Sequence, residues 1–584
     1  MSTTAVGSWP VPKAYRPQSA RGAVMVAVLA LPAAAALGAI VSRAPELAAL
    51  ATVALLLGTL IFFRPAVAGY LVIGVTPLIV GIDRGRILPV LRPNEALILL
   101  AAGALLARGI WNLRTGVRLR PRIGLVVGSL ILMAVFNSAV PLLWMAVRGV
   151  SISADDLMYA IVLWKYLALY AVVRASVRSD RDVRRCLWLA MIAACIVAVI
   201  AILQSLDLFG VPRLLASYYT PAFSNDTRLS NNRGSSTLAL PAATADLMIF
   251  NLALAAGFWR RYGLRQLALW PIAVLFVVGT LASGQFSGAI GLLVAMIAIG
   301  LVSRRADLPL VFGLVGLGAT WLLRPVIAHR LSGFQRVSGL PESWVGRLRN
   351  LRSYFWPKLF SHENFLLGVQ PSARVPGPRD LGIKWVWIES GYTWLLWGGG
   401  IPLLLSFVLF VVVSVRRSWA LAQRPDAVGI AATAVFAGVL VVTVLMSFDP
   451  HITYRGSADL LFSLLALIGG ASAITGTRSG ASARAAPTSA PPRWAVRARS
   501  RRKPVVPAWT RRQVEMTWDP AQGLYVPRGN RRGLRRATEY PSRSVGRGRR
   551  GSTRKRTREG GMFARLTGVS RGRQGEKRGT TTEE

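Results

Sequence analysis

Charged residues set within or beside long apolar runs are where this chain can do chemistry. Lys165 and Asp246 each stand near the middle of such a run. A lone charge there is costly in hydrocarbon, so both should face the interior of a helical bundle. The expectation is that they pair with each other, as structural glue or as part of a proton relay. Arg228 and Arg233 come just before a run that opens with Gly234, Ser235, Ser236 and Thr237. Arginine at the mouth of a bundle suits bidentate contact with phosphate. Further along, Val345, Leu348, Leu351, Phe355 and Leu359 recur at helical spacing, interrupted by Arg347, Arg349 and Arg352. With Pro341 and Glu342 suited to a helix start, this predicts an amphipathic helix on the outer leaflet. Its arginines would face lipid phosphates or a bound phosphate, and plain membrane anchoring is the simpler alternative.

Other chemistries find little support. There is no P-loop, dinucleotide fingerprint, H-E-x-x-H or Cys/His cluster, so ATP-driven transport and zinc catalysis are not indicated, and no cofactor or metal is expected. Cys186 and Cys195 lie in one apolar segment and match no metal spacing. The three histidines, His329, His362 and His451, fall outside the apolar runs and read as surface or structural residues.

The elements that must position these groups follow from composition. The chain is 53% hydrophobic yet carries 70 Lys+Arg against 25 Asp+Glu, a combination that makes sense only if the two classes are segregated. They are. Apolar runs at 22–42, 46–63, 66–82, 96–110, 123–147, 157–173, 187–207, 235–258, 267–283, 288–303, 308–323, 391–415, 427–447 and 457–475 approach or reach the length that spans a bilayer. Helices are the expected form, because a lipid-exposed backbone must satisfy its own hydrogen bonds. The fold class is therefore an all-α polytopic membrane protein of about fourteen transmembrane helices, with twelve as the alternative count. Residues 1–21 form a cytoplasmic N-terminal segment, 22–475 the membrane domain, and 476–584 a basic tail.

Basic connections at 114–122, 174–185, 260–265, 304–305 and 416–424 alternate with less basic ones, which places both termini in the cytoplasm of an inner-membrane protein. The outward set then holds Asp155 and Asp156 and two long connections, 208–234 and 324–390. Long connections in compact proteins are usually functional. The tail is rich in Pro, Ser, Gly and Arg, and is expected to be disordered. Anionic lipid or an acidic protein is its expected partner and nucleic acid is disfavoured, while Trp509, Trp518 and Tyr525 suggest a docking patch.

The stretch RGSSTLALPAATA from Arg233 resembles the arginine motif of the O-antigen ligase and polymerase family. Downstream, TLASGQFSG (280–288) is similar to that family's small-residue turn between short spans. Gly346, Arg347 and Trp356 follow, then NFLLGV (364–369), ESGY (389–392) and GGGIP (398–402) in the family's order. The resemblance covers roughly 150–475. Ligases carry a histidine–asparagine pair where Glu389 and Ser390 stand, which favours the polymerases, and the turn near Ser287 lacks an arginine common in relatives. The resemblance implies transfer of a glycan from a polyprenyl-diphosphate carrier to an acceptor hydroxyl at the outer face, alongside other glycan-assembly proteins. It also implies the roles: Arg233 and Arg347 on the diphosphate, Arg228 and Arg352 in support, and Glu389 as base or acceptor-orienting group. The alternatives are a polyprenyl-sugar-dependent glycosyltransferase using Asp155 and Asp156, a transporter or flippase, and a scaffold whose tail is the working part.

Overall fold

The computed structural model describes residues 45–470 apart from 89–90, 115–123, 220–232, 264–266, 305–306, 325–327, 329–341 and 379–382, together with 516–519 and 524–527. The chain divides into two compact units, Met1–Pro487 and Thr488–Glu584. The first is helical. In order it contains α1 (Pro45–Phe63), α2 (Ala66–Ile79), α3 (Pro93–Arg114), α4 (Leu125–Val147), α5 (Ala154–Ala160), α6 (Val162–Ser176), α7 (Asp180–Ser205), α8 (Val211–Tyr218) and α9 (Pro241–Tyr262). There follow α10 (Leu269–Ala282), α11 (Phe286–Ser303), α12 (Asp307–Leu322), α13 (Glu342–Asn350), α14 (Trp356–Leu359) and α15 (Asn364–Leu367). A small hairpin, β1 (Arg374–Pro376) with β2 (Trp385–Trp387), precedes α16 (Gly391–Ala422), α17 (Ala427–Leu445) and α18 (Ser457–Gly469).

Among the described residues eight helices are long and apolar enough to cross a membrane, and five shorter apolar helices accompany them. The protein is a multi-pass membrane protein. The predicted run 22–42 lies outside the described residues. Helix α9 is the centre of the unit. Its whole apolar window is buried, and it packs on α7, α10, α11 and α17. A helix covered on every side needs no polar face, yet α9 carries Asp246 and Asn251, both fully buried. It opens with Pro241, which suits a first helical position because its missing N–H would have no partner there. The predicted run 235–258 makes the segment 235–240 helical. It is instead a buried coil with a single 3-10 turn, Ser236–Leu238, and the helix starts only at the proline.

Helix α16 is two helices joined at Gly400, whose φ of 65° and ψ of −158° lie where only glycine is comfortable. The break lets Leu366 and Leu367 approach the backbone, since a Cβ at Gly400 would stand 2.2 Å from the Leu366 carbonyl oxygen. Gly399 meets the Phe136 carbonyl of α4 in the same way. Thus the GGGIP run is a seat for both the NFLLGV stretch and α4. Gly400→Ala should lower stability by about 2–5 kcal/mol, the sum of backbone strain and overpacking. A thermal midpoint of the purified protein, read from the fraction remaining monodisperse after heating, should fall by many degrees; an unchanged value would contradict this account of the hinge.

The predicted amphipathic helix is present but turned. A π turn, Leu351–Phe355, follows α13 and shifts the register of the apolar face. Leu351, Phe355 and Leu359 are buried, whereas Val345 and Leu348 are exposed. Arg349 and Arg352 are exposed, but Arg347 points inward. In the second unit the described residues form one antiparallel hairpin, β3 (Met516–Asp519) with β4 (Leu524–Pro527), pairing Trp518 with Tyr525 in register. The tail therefore carries a local element where none was expected.

Candidate functional site

Glu389 lies in the connection between β2 and α16, just ahead of Ser390, which caps α16 by accepting from the Thr393 N–H at 3.3 Å. The Gly391 N–H donates to the Met446 carbonyl at 2.7 Å, so this connection is fixed against the turn that follows α17. A side chain at Gly391 would collide with the Met446 sulfur at 2.5 Å, so the approach depends on glycine. Helix α13 brings in Arg347 and Asn350, three residues apart and on one face.

Three distant stretches therefore meet. Arg347 Nη1 contacts Asp449 Oδ2 at 2.7 Å and donates to the Phe448 carbonyl at 3.2 Å. Its Nε stands 3.8 Å from Glu389 Oε1, and Asn350 Nδ2 donates to Glu389 Oε2 at 3.2 Å. Burial raises the Glu389 pKa above the usual carboxylate range, helped by the Asp449 charge and opposed by Arg347 and Asn350. A partly enclosed carboxylate with a raised pKa, oriented by two donors, is suited to accept a proton near neutral pH.

Directly behind Asp449 sits a buried pair. His451 Nδ1 is 2.7 Å from Asp246 Oδ2, and both side chains are only 1% exposed. The His451 N–H donates to the Asp449 carbonyl at 2.7 Å, so the pair braces the turn that presents Asp449 to Arg347. His451 is thus not a surface residue, whereas His362 is exposed and His329 lies outside the described residues. The expected pairing of Lys165 with Asp246 is wrong. Lys165 Nζ lies 3.2 Å from Asp459 Oδ1, and Asp246 belongs to His451. The run 235–258 puts Asp246 in mid-span because it includes the 235–240 coil. Measured from Pro241 it falls in the second turn, level with the 451 turn instead.

Arg233 opens the buried coil. The Gly234 N–H donates to the Ala282 carbonyl at 2.9 Å, joining this segment to the turn between α10 and α11. Gln204 fixes the coil through the Ser236 N–H at 2.7 Å and Ser235 Oγ at 3.0 Å, and Thr237 Oγ1 donates to the Pro77 carbonyl at 2.7 Å. Ser236 and Ala239 have φ of 50° and 57°, unusual for residues with a Cβ. Such strain, held by so many bonds, marks a segment whose shape matters. Arg228 lies outside the described residues, and Arg352 is exposed with no described place in the Glu389 cluster.

The acidic pair of the alternative reading is committed to structure. Asp155 receives a two-point contact from Arg374 (Nη2 2.6 Å, Nε 2.8 Å) and a bond from Ser372 at 2.8 Å. Asp156 closes a capping box with Ser153 at the start of α5. Arg374 in turn lies over the rings of Trp385 and Trp387. Asn364 is held similarly, accepting from Arg148 at 2.7 Å and from Trp144 at 3.2 Å. Asn350, Asp449 and the buried His451–Asp246 pair were not anticipated. The available signal was Asp449 and His451 flanking Pro450 in a short connection between two long apolar runs. Compared with protein-family models, curated proteins and solved structures, the chain matches none of them.

Proposed function

We propose that the protein transfers a glycan from a polyprenyl-diphosphate carrier to an acceptor hydroxyl at the membrane surface, as a polymerase or ligase of cell-surface glycan. The meeting of Glu389 with Arg347, Asn350 and Asp449 from three separated stretches is the observation that carries this reading. In it, Glu389 removes the acceptor proton as the sugar–phosphate bond breaks. Arg347 lies between two carboxylates, so its first role is to hold Glu389 in place, and its contribution to diphosphate binding is secondary. Arg233, at the head of the strained coil, is the cation assigned to the departing diphosphate, with Arg228 and Arg352 in support. Fixed guanidinium groups stabilise developing phosphate charge most effectively where water is excluded.

The motifs that suggested glycan transfer also support it by how they meet. The arginine segment bonds the 280–288 turn, and NFLLGV seats on GGGIP. In the same reading the chain crosses the membrane fourteen times, both termini are cytoplasmic, and the basic tail rests on anionic lipid. No comparable observation favours the transporter or the scaffold.

Purified protein in liposomes, given a polyprenyl-diphosphate oligosaccharide, should produce longer lipid-linked chains, and failure to extend any such donor would sink the reading. The rate should fall on the acid side. Because the Glu389 pKa is raised, the base is lost at a pH above the ordinary glutamate value of about 4.3. A pH–rate profile flat down to that value would exclude Glu389 as the base.

A further inference from the structure

A second group of charges lies around Tyr166, drawn from the 80–92 connection, the starts of α3, α6 and α18, and the 446–456 connection. Its cations are Arg84, Arg92, Lys165 and Arg455, and its carboxylates are Asp83, Glu95 and Asp459. Arg84 Nη2 is 3.0 Å from Glu95 Oε1, and Arg92 reaches Asp83 at 3.2 Å and Glu95 at 3.7 Å. Lys165 Nζ holds Asp459 Oδ1 at 3.2 Å while lying over the Tyr166 ring. Every carboxylate in the group is therefore already held. The Arg455 guanidinium makes no ion pair or hydrogen bond with any described residue.

Arg455 is nevertheless fixed in position. Tyr166 donates to the Thr453 carbonyl at 2.8 Å, and the Gly456 N–H donates to Asp459 Oδ2 at 2.9 Å. Gly456 has a φ of 83°, and a Cβ there would press on Leu238 at 2.9 Å and Val80 at 3.2 Å. Gly456 is thereby wedged between Val80 and the coil that begins at Arg233, which fixes the backbone beside Arg455. Burial pulls the Arg455 pKa down to about 10 and the Arg92 charge acts in the same direction, while the Asp83 charge opposes them without closing to an ion pair. A half-buried cation beside a second cation, with no direct ion pair or hydrogen bond to a described residue, is suited to receive an anion that completes it.

We propose that Arg455, with Arg92 beside it, anchors a binding site for a phosphate-bearing ligand, the diphosphate headgroup of a polyprenyl carrier. The anion site stands on the charge arrangement, while naming the carrier rests on the glycan-transfer reading. Two guanidinium groups from separate segments suit the paired oxygens of a diphosphate, since each guanidinium offers a planar fork of donors. Gly456, the next residue, abuts Leu238 of the coil led by Arg233.

The test is binding of farnesyl diphosphate to the full-length protein in phosphatidylcholine nanodiscs, with inorganic pyrophosphate and phosphatidylglycerol as competitors. Wild type should bind, pyrophosphate should compete, and phosphatidylglycerol should not. Arg455→Gln should weaken binding roughly ten- to a hundredfold, the usual range for a lost charge-assisted contact, and Arg455→Lys should retain part of it. Because no partner is removed, the unliganded thermal midpoint of Arg455→Gln should be no lower than that of wild type. Undiminished binding by Arg455→Gln would overturn the site. A lowered unliganded midpoint, with no recovery of binding in Arg455→Lys, would make the residue structural and equally overturn it. Equal competition by phosphatidylglycerol would overturn the diphosphate assignment. Absence of glycan transfer with Arg455-dependent binding intact would remove the transfer reading alone and leave the anion site standing.

Discussion

Glu389→Gln is expected to reduce glycan extension by a factor on the order of 10²–10⁴, the usual contribution of a positioned proton acceptor. Glutamine has nearly the same shape and can still accept from Asn350 and lie beside Arg347, so protein level and thermal stability should change little. The effect should therefore fall on the chemical step, with the affinity for donor retained. In cells this means short or single lipid-linked repeats in place of long chains. A Glu389→Gln protein that makes chains of normal length would remove Glu389 from the mechanism, whatever its neighbours do.

The second large effect is expected at the His451–Asp246 pair, and it is one of stability. Each side chain is 1% exposed and has the other as its partner at 2.7 Å. Asp246→Leu alone leaves a buried imidazole facing an apolar group, and His451→Leu alone leaves a buried carboxylate. His451→Leu should cost about 3–5 kcal/mol, the penalty for a buried charge stripped of its partner, and Asp246→Leu about 1–3 kcal/mol, that for an unsatisfied polar group. The double variant should be more stable than Asp246→Leu or His451→Leu alone, because replacing both members removes the penalty along with the bond. A double-mutant cycle on thermal midpoints measures this coupling. Additive losses would show that the pair does not act as a unit. The double variant should still transfer poorly, because the His451 ring no longer ties the turn that presents Asp449 to Arg347 to Asp246 on α9.

Much of the fold was legible because the membrane imposes simple rules. Long apolar runs had to be helices, and each described run contains one. The break at Gly400 was visible only as three consecutive glycines ahead of Pro402, and its purpose emerged from Leu366 lying against it. The amphipathic segment after Pro341 was legible as a helix but not in its rotation, since nothing in the periodicity announced the π turn at Leu351–Phe355.

The site was legible in part for a different reason. Glu389 and Arg347 came from an ordered set of motifs, and they do approach each other. Asp449 and His451 belong to none of those motifs, and a short connection between spans reads as a simple turn. The pairing of Lys165 with Asp246 failed because both were assigned depths from hydropathy alone. The coil before Pro241 runs through Leu238, Ala239 and Leu240 straight into the apolar helix, so hydropathy alone puts Asp246 in mid-span and not in the second turn. Lys165 finds Asp459 instead, on a helix that hydropathy gave no reason to set beside α6.

The central claim, that this protein extends or transfers a carrier-linked glycan, is tested most directly by deleting the gene and measuring the length distribution of surface and secreted glycan. The account predicts loss of long chains, accumulation of single repeats on the lipid diphosphate, and restoration by the wild-type gene but not by Glu389→Gln. Glycan of unchanged length and amount in the deletion strain, with no lipid-linked repeats accumulating, would contradict it.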